Sequence, residues 1–215
     1  MGAMNLAEYL VDRGDFDSTM AVLHAGAGPE AVKPGPPYTY ELTGNGLFLE
    51  APGLFLSARI PLALVGVRGL AHLEPYLHLC LGKVPARLLE LAVMVMATTP
   101  DRERYAAIGR WQGESYDIRI PLQEGTGAHI DYEVIPGTIV NIHSHPPGLP
   151  AAFSGTDDRD DQGFQVSIVV AELDRLIPVA RARLCVYGYF WEIPLGLVFE
   201  GPVGVRGVDD ESQPW

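Results

Sequence analysis

From about Arg104 to Phe199 the chain is a succession of short apolar runs, nearly all cut off by proline or glycine. This punctuation restricts the fold more than any other feature. A helix needs several unbroken turns to bury an apolar stripe, whereas strands of about five to eight residues tolerate such breaks. Strands are expected at Arg104–Trp111 and Tyr116–Leu122, flanking a Gln112–Ser115 turn, and at Ala128–Val134. Three more are expected at Thr138–His143, after the Pro136-Gly137 turn, at Phe164–Ala171 and at Arg183–Trp191. Upstream, Tyr38–Leu42, Leu47–Glu50 and Leu54–Ile60 alternate in the same way, separated by Gly44-Asn45-Gly46 and Pro52-Gly53.

One stretch breaks the rule. Pro85 opens a run in which Leu88, Leu89, Ala92, Val93, Val95 and Met96 recur at helical spacing, and Thr98-Thr99-Pro100 closes it. A helix on a mixed sheet makes the chain α+β. Its 215 residues divide into a small β-rich domain over 1–82, an α+β domain over 83–200 and a loose polar tail over 201–215. The Lys33–Pro37 stretch reads as a loop.

The formal charge of −12, from 15 basic and 27 acidic residues, has no basic run to offset it, so direct contact with nucleic acid is not expected. Cys80 and Cys185 are far apart and read as buried, reduced thiols. The opening MGAMNLAEYLVDRGDFD lacks the basic start and apolar stretch of a secretory leader. Longer apolar segments are interrupted by Arg59, Pro61 and Arg68, or are too short near Leu88–Ala97 to span a bilayer. A cytoplasmic chain with no membrane span is expected.

The chemistry is concentrated in His143-Ser144-His145-Pro146 and the following Ser154-Gly155-Thr156-Asp157. Alternate residues of an extended strand point the same way, so His143 and His145 can present both imidazoles to one side. Pro146, Pro147, Gly148 and Pro150 force a loop that can return Asp157 to them. Two neutral imidazoles and a carboxylate suit zinc better than magnesium or calcium. Three protein ligands leave a fourth position for water, whose pKa such a site lowers to about 7. Ser154 is placed both to cap a helix and to donate to a developing oxyanion, because a capping oxygen accepts and keeps its proton free.

HSHPPGLPAAFSGTDD resembles the H-[ST]-H-P … S-x-x-D signature of the JAB/MPN (JAMM) metalloproteases. The resemblance covers roughly Pro85 to Phe199. It implies a cytidine-deaminase-like mixed sheet flanked by helices, and one Zn2+ held by His143, His145 and Asp157. Ser154 would then steady the oxyanion, and the substrate would be a ubiquitin-like small protein or its conjugates. The loop before Ser154 is slightly longer than the family's, which leaves Asp158 as an alternative to Asp157. The family's proton-shuttling glutamate follows its first helix, in a pattern similar to P-x-E-x-x-G-x-L. Here Pro100–Ile108 stands in that place, with Glu103 aligned to the base and Ala106 to the glycine. Glu114 and Glu124 compete for the role but fall in expected turns.

FSGTDDRDDQGF, the later RARLCVYGYFWEIP and the β-rich part before the signature further resemble the PRTRC system protein A family of bacterial cassettes. That family accompanies a ThiF-like (E1-like) protein, a ubiquitin-like small protein and a ParB-like protein. The implied partners are therefore a small β-grasp modifier and a ThiF/E1-like protein.

The remaining candidates have plainer readings. Asp160 and Asp161 are expected on a solvated face. His24, His72, His78 and His129 are ordinary residues away from the metal. Tyr187–Trp191 is expected to be half core and half sheet surface, and His24–Pro29 (HAGAGP) a turn rather than a phosphate loop.

Overall fold

The computed structural model describes residues 21–23, 37–125, 130–201 and 204–208. His24, the HAGAGP turn, most of the Lys33–Pro37 loop and His129 lie outside the described residues. The chain divides into two compact units: Met1–Pro52 with Ser57–Leu77, and Gly53–Leu56 with His78–Trp215.

The first unit is built on a sheet in the order β1 (Ala21–Leu23), β2 (Thr39–Thr43), β3 (Gly46–Ala51), β4 (Leu56–Leu64) and β5 (Tyr76–Leu79). The third expected strand starts later than Leu54 and runs on through Pro61 to Leu64. Phe48, Leu49 and Ile60 are fully buried in this sheet. Arg59 bridges the buried Glu41 (2.9 Å) and Glu50 from neighbouring strands, so neither carboxylate is left unpaired.

The second unit begins with β6 (Val84–Pro85) and α1 (Ala86–Met96). Pro85 is the N-cap rather than the first helical residue, because its extended backbone (ψ 128°) belongs to β6, which pairs with β15 (Phe199–Glu200). Leu88, Leu89, Ala92 and Met96 form the buried stripe of α1. Then come β7 (Tyr105–Gly109), β8 (Asp117–Arg119), β9 (Gln123–Gly125), β10 (Ile130–Tyr132) and β11 (Thr138–Ser144). Next are α2 (Gly155–Asp160), β12 (Phe164–Ala171), β13 (Val179–Val186), β14 (Tyr189–Ile193), α3 (Leu195–Val198) and β16 (Arg206–Gly207).

The main sheet runs β14-β13-β12-β11-β7-β8, with β16 beside β13; β9 and β10 form a separate ribbon. The pairing of β11 with β12 is parallel, so the chain crosses over between them through α2. Ile108, Val140, Ile142, Val166, Ile168 and Leu184 are fully buried on these central strands. Each stabilises the fold by about 1.5–3 kcal/mol relative to exposure. The architecture is mixed α+β. Among the described residues no helix is long and apolar enough to cross a membrane.

Three expectations are corrected. Arg183–Trp191 is two antiparallel strands, because Tyr187 (φ 48°) and Gly188 (φ 90°) form a two-residue hairpin turn of the kind that matches strand twist. The expected tail is not loose throughout: Arg206 and Gly207 pair with Val179 and Ala180, and 209–215 lie outside the described residues. Cys80 is exposed rather than buried, while Cys185 is buried.

Candidate metal centre

His143 is the next-to-last residue of β11, and the ladder continues past the strand's end. Ser144 N donates to Arg104 O (2.9 Å), and His145 N donates to Val170 O (2.8 Å). Extended backbone through this point puts residues 143 and 145 on one side, with ring centroids 5.2 Å apart. Pro146 then starts the loop, which reaches Ser154 at the N-terminus of α2.

Ser154 and Asp157 form a capping box. The Ser154 hydroxyl accepts from Thr156 N (3.2 Å) and Asp157 N (3.3 Å), while Asp157 Oδ2 accepts from Ser154 N (2.6 Å). The Ser-x-x-Asp spacing is thus that of an N-cap and its third helical residue. With Oδ2 held by the box, Asp157 turns Oδ1 toward His143 Nε2, 3.3 Å away.

One ligand atom from each of His143, His145 and Asp157 lies within 4.8 Å of the others, so this triad can hold a metal ion. Two local features fit that use. His143 Nε2 is buried and makes no hydrogen bond among the described residues, although a buried polar atom normally finds a partner. Its 3.3 Å separation from the carboxylate oxygen equals the edge, about 3.3 Å, of a tetrahedron with metal–ligand distances of 2.0–2.1 Å. His145 Nδ1 lies 2.7 Å from the Pro150 carbonyl. A carbonyl only accepts, so Nδ1 carries the proton and Nε2 is left with its lone pair.

Burial pushes the His143 imidazole down to about 4, which outweighs the pull of Asp157 and leaves it neutral at pH 7. For Asp157, burial acts upward, but His143 and the Ser154 donors together hold the carboxyl below its usual range. A neutral imidazole beside an ionised carboxylate is the protonation state that metal ligation needs.

The triad opens into a cavity of about 480 Å³. Glu103, half-buried just before β7, lines it, as do Ser154 and the apolar side chains of Ile130, Leu149 and Phe153. Glu114 is exposed in its turn, and neither it nor Glu124 borders the cavity. Tyr105 and Tyr132 stack at 3.8 Å along one wall. Burial, then Asp160, Asp161 and Asp157, push the Tyr132 phenol up to about 12, so it stays protonated.

Asp158 is turned away from the histidines and pairs with Arg183 at 2.5 Å. Asp160 is exposed as expected, but Asp161 is 5% exposed, which corrects its reading as a solvated acid. Its Oδ1 accepts from Asn141 Nδ2 (2.9 Å) and its Oδ2 from Arg183 (2.8 Å). His72 and His78 are exposed and belong to no such cluster. Asn141, Ser167 and Arg183 went unnoticed in the sequence. The available signal was a polar residue set between apolar neighbours in each of three strands: Asn141 in β11, Ser167 in β12 and Arg183 in β13. Neither a scan against models of known protein families nor a search of curated proteins returns a match to this chain.

Proposed function

We propose that this chain is a zinc-dependent metallo(iso)peptidase with a JAB/MPN-like fold. It hydrolyses an amide or isopeptide bond, with the C-terminus of a ubiquitin-like modifier as its substrate and a ThiF/E1-like protein as its partner. The observation that carries this reading is the buried Nε2 of His143, without a hydrogen bond among the described residues and set 3.3 Å from an Asp157 oxygen. Two imidazoles and one carboxylate favour zinc over the harder cations, and three protein ligands are the number found in catalytic rather than structural sites.

When bound, zinc polarises the scissile carbonyl and draws down the pKa of water in the open position. The protein's own groups do the rest. Glu103, on the cavity wall, takes a proton from the attacking water and delivers it to the departing amine as the C–N bond breaks. The carbon keeps the water oxygen and leaves as a carboxylate. Ser154, whose hydroxyl also donates to Asp157, swings that proton to the carbonyl oxygen as negative charge develops.

Metal analysis of protein purified without chelators is the direct test. Near-stoichiometric zinc, lost in His143→Ala with an unchanged circular dichroism spectrum, is the expected result. Zinc-free wild-type protein would overturn the reading in favour of a non-catalytic scaffold that binds the modifier or its ThiF/E1-like partner.

A further inference from the structure

We propose that Arg183 is a positioning residue for the metal centre: it fixes α2, and through α2 the direction in which Asp157 offers its oxygen. This rests on the metal-site reading above.

Apolar packing does little to hold α2. It is six residues long and none of them is buried. A single helix this short is far below the length that is stable alone, and it gains little from apolar packing. The capping box at its first turn ties Asp157 to Ser154, but that fixes the carboxylate only relative to the helix. Something must fix the helix relative to β11, where the imidazoles sit.

The sheet supplies it. Asn141 of β11 is in register with Ser167 of β12, and Ser167 with Arg183 of β13. Three polar side chains thus form a row across adjacent strands, two residues along β11 from His143 and on the same face. Ser167 Oγ donates to Asn141 Oδ1 (2.6 Å), and Asn141 Nδ2 donates to Asp161 Oδ1 (2.9 Å). Arg183 reaches Asp161 with Nε (3.3 Å) and Nη2 (2.8 Å), and Asp158 with Nη1 (2.5 Å). Its guanidinium carbon also lies 4.0 Å from the Phe153 ring centroid and 4.1 Å from that of Phe190.

A guanidinium whose side chain is 4% exposed is costly to desolvate unless its charge and donors are met. Here two carboxylates and two aromatic faces meet them, and all but Phe190 come from the segment carrying α2 or its flanks. The forked geometry matters. One planar group grips the helix at Asp158 and just beyond its end at Asp161, which prevents the helix from pivoting about either contact. Asp158, which the sequence leaves as an alternative metal ligand, instead aims the true one.

Arg183→Lys tests this without changing the local charge. A lysine is a single point of charge and cannot fork to both carboxylates. Zinc affinity by chelator competition and the ligand-field spectrum of the cobalt-substituted protein are compared with wild type. The zinc Kd is expected to rise about tenfold or more, and the cobalt bands to shift as the carboxylate moves. Wild-type affinity and spectrum in Arg183→Lys would sink the proposal while leaving the metal centre intact. Wild-type protein that takes up neither metal would remove the metal centre itself. Should Arg183→Lys fail to fold, Asp158→Asn decides. Its carboxylate is half-exposed, so the fold survives; a Kd raised several-fold with shifted cobalt bands supports the assignment, and wild-type behaviour overturns it.

Discussion

His145 aims Nδ1 at the backbone carbonyl of Pro150, 2.7 Å away, and so commits its other nitrogen to the cavity. The acceptor sits in an exposed loop, yet the proline ring fixes φ there and limits how far the carbonyl swings. Pro150→Gly frees that dihedral. Zinc affinity is expected to fall by up to about tenfold with the stoichiometry unchanged, as isothermal titration would show. Equal affinity in the two proteins would mean that the carbonyl does not orient the ring.

Glu103 shares the cavity with the triad without belonging to it. Glu103→Gln keeps the shape and removes the basic oxygen. It is expected to bind zinc as wild type does and to lose about a hundredfold or more in kcat on a modifier–amide substrate. Normal turnover would transfer the role to another group.

Ser154 caps α2, and the proposed reaction gives the same hydroxyl a second, chemical duty. Ser154→Ala removes the cap and is expected to cost about 1 kcal/mol in chemical denaturation. It should also lower kcat about a hundredfold through the lost oxyanion donor. Ser154→Thr, which retains the hydroxyl, should recover most of both. If alanine lowered stability but left kcat alone, the hydroxyl would be a cap and nothing more.

The pH dependence of the metal-free protein follows from His143. Its imidazole is held down to about 4 by burial, against an ordinary value near 6.5 in the unfolded chain. Between these values the unfolded state binds the extra proton, so stability rises with pH. This contribution is therefore fully present above about pH 6.5. It is lost as the pH falls toward 4, at about 1.4 kcal/mol per unit. Urea unfolding at pH 7, 6 and 5 should show a steeper loss in wild type than in His143→Gln. Parallel curves would be incompatible with a buried neutral imidazole.

What was legible in the sequence was local. The His143–His145 alternation follows from strand geometry, and the Ser154–Asp157 spacing from helix capping, so both can be read within a few residues. The strand at Phe164–Ala171 was likewise legible, because its apolar residues end in the short run Ile168–Ala171. Arg183 was illegible for the opposite reason. Its partners lie 22 and 25 residues away, and they meet it only because β11, β12 and β13 pair in one register. Asp161 looked like one more acid in an acidic run because nothing in DDRDD marks which carboxylate faces inward. The hairpin at Tyr187-Gly188 was missed because tyrosine at positive φ is an uncommon first turn residue.

The parallel pairing of β11 with β12 turns Pro146–Gly163 into a crossover whose exposed stretch, Pro147–Pro150, carries no secondary structure. An ion held between His145 and Asp157 would act as a removable rivet, closing the loop between them into a ring and restricting its excursions. Stripping that rivet with a chelator should make this arch the first place an added endoprotease nicks, while the strands beneath resist. Reloading with zinc should restore the resistance.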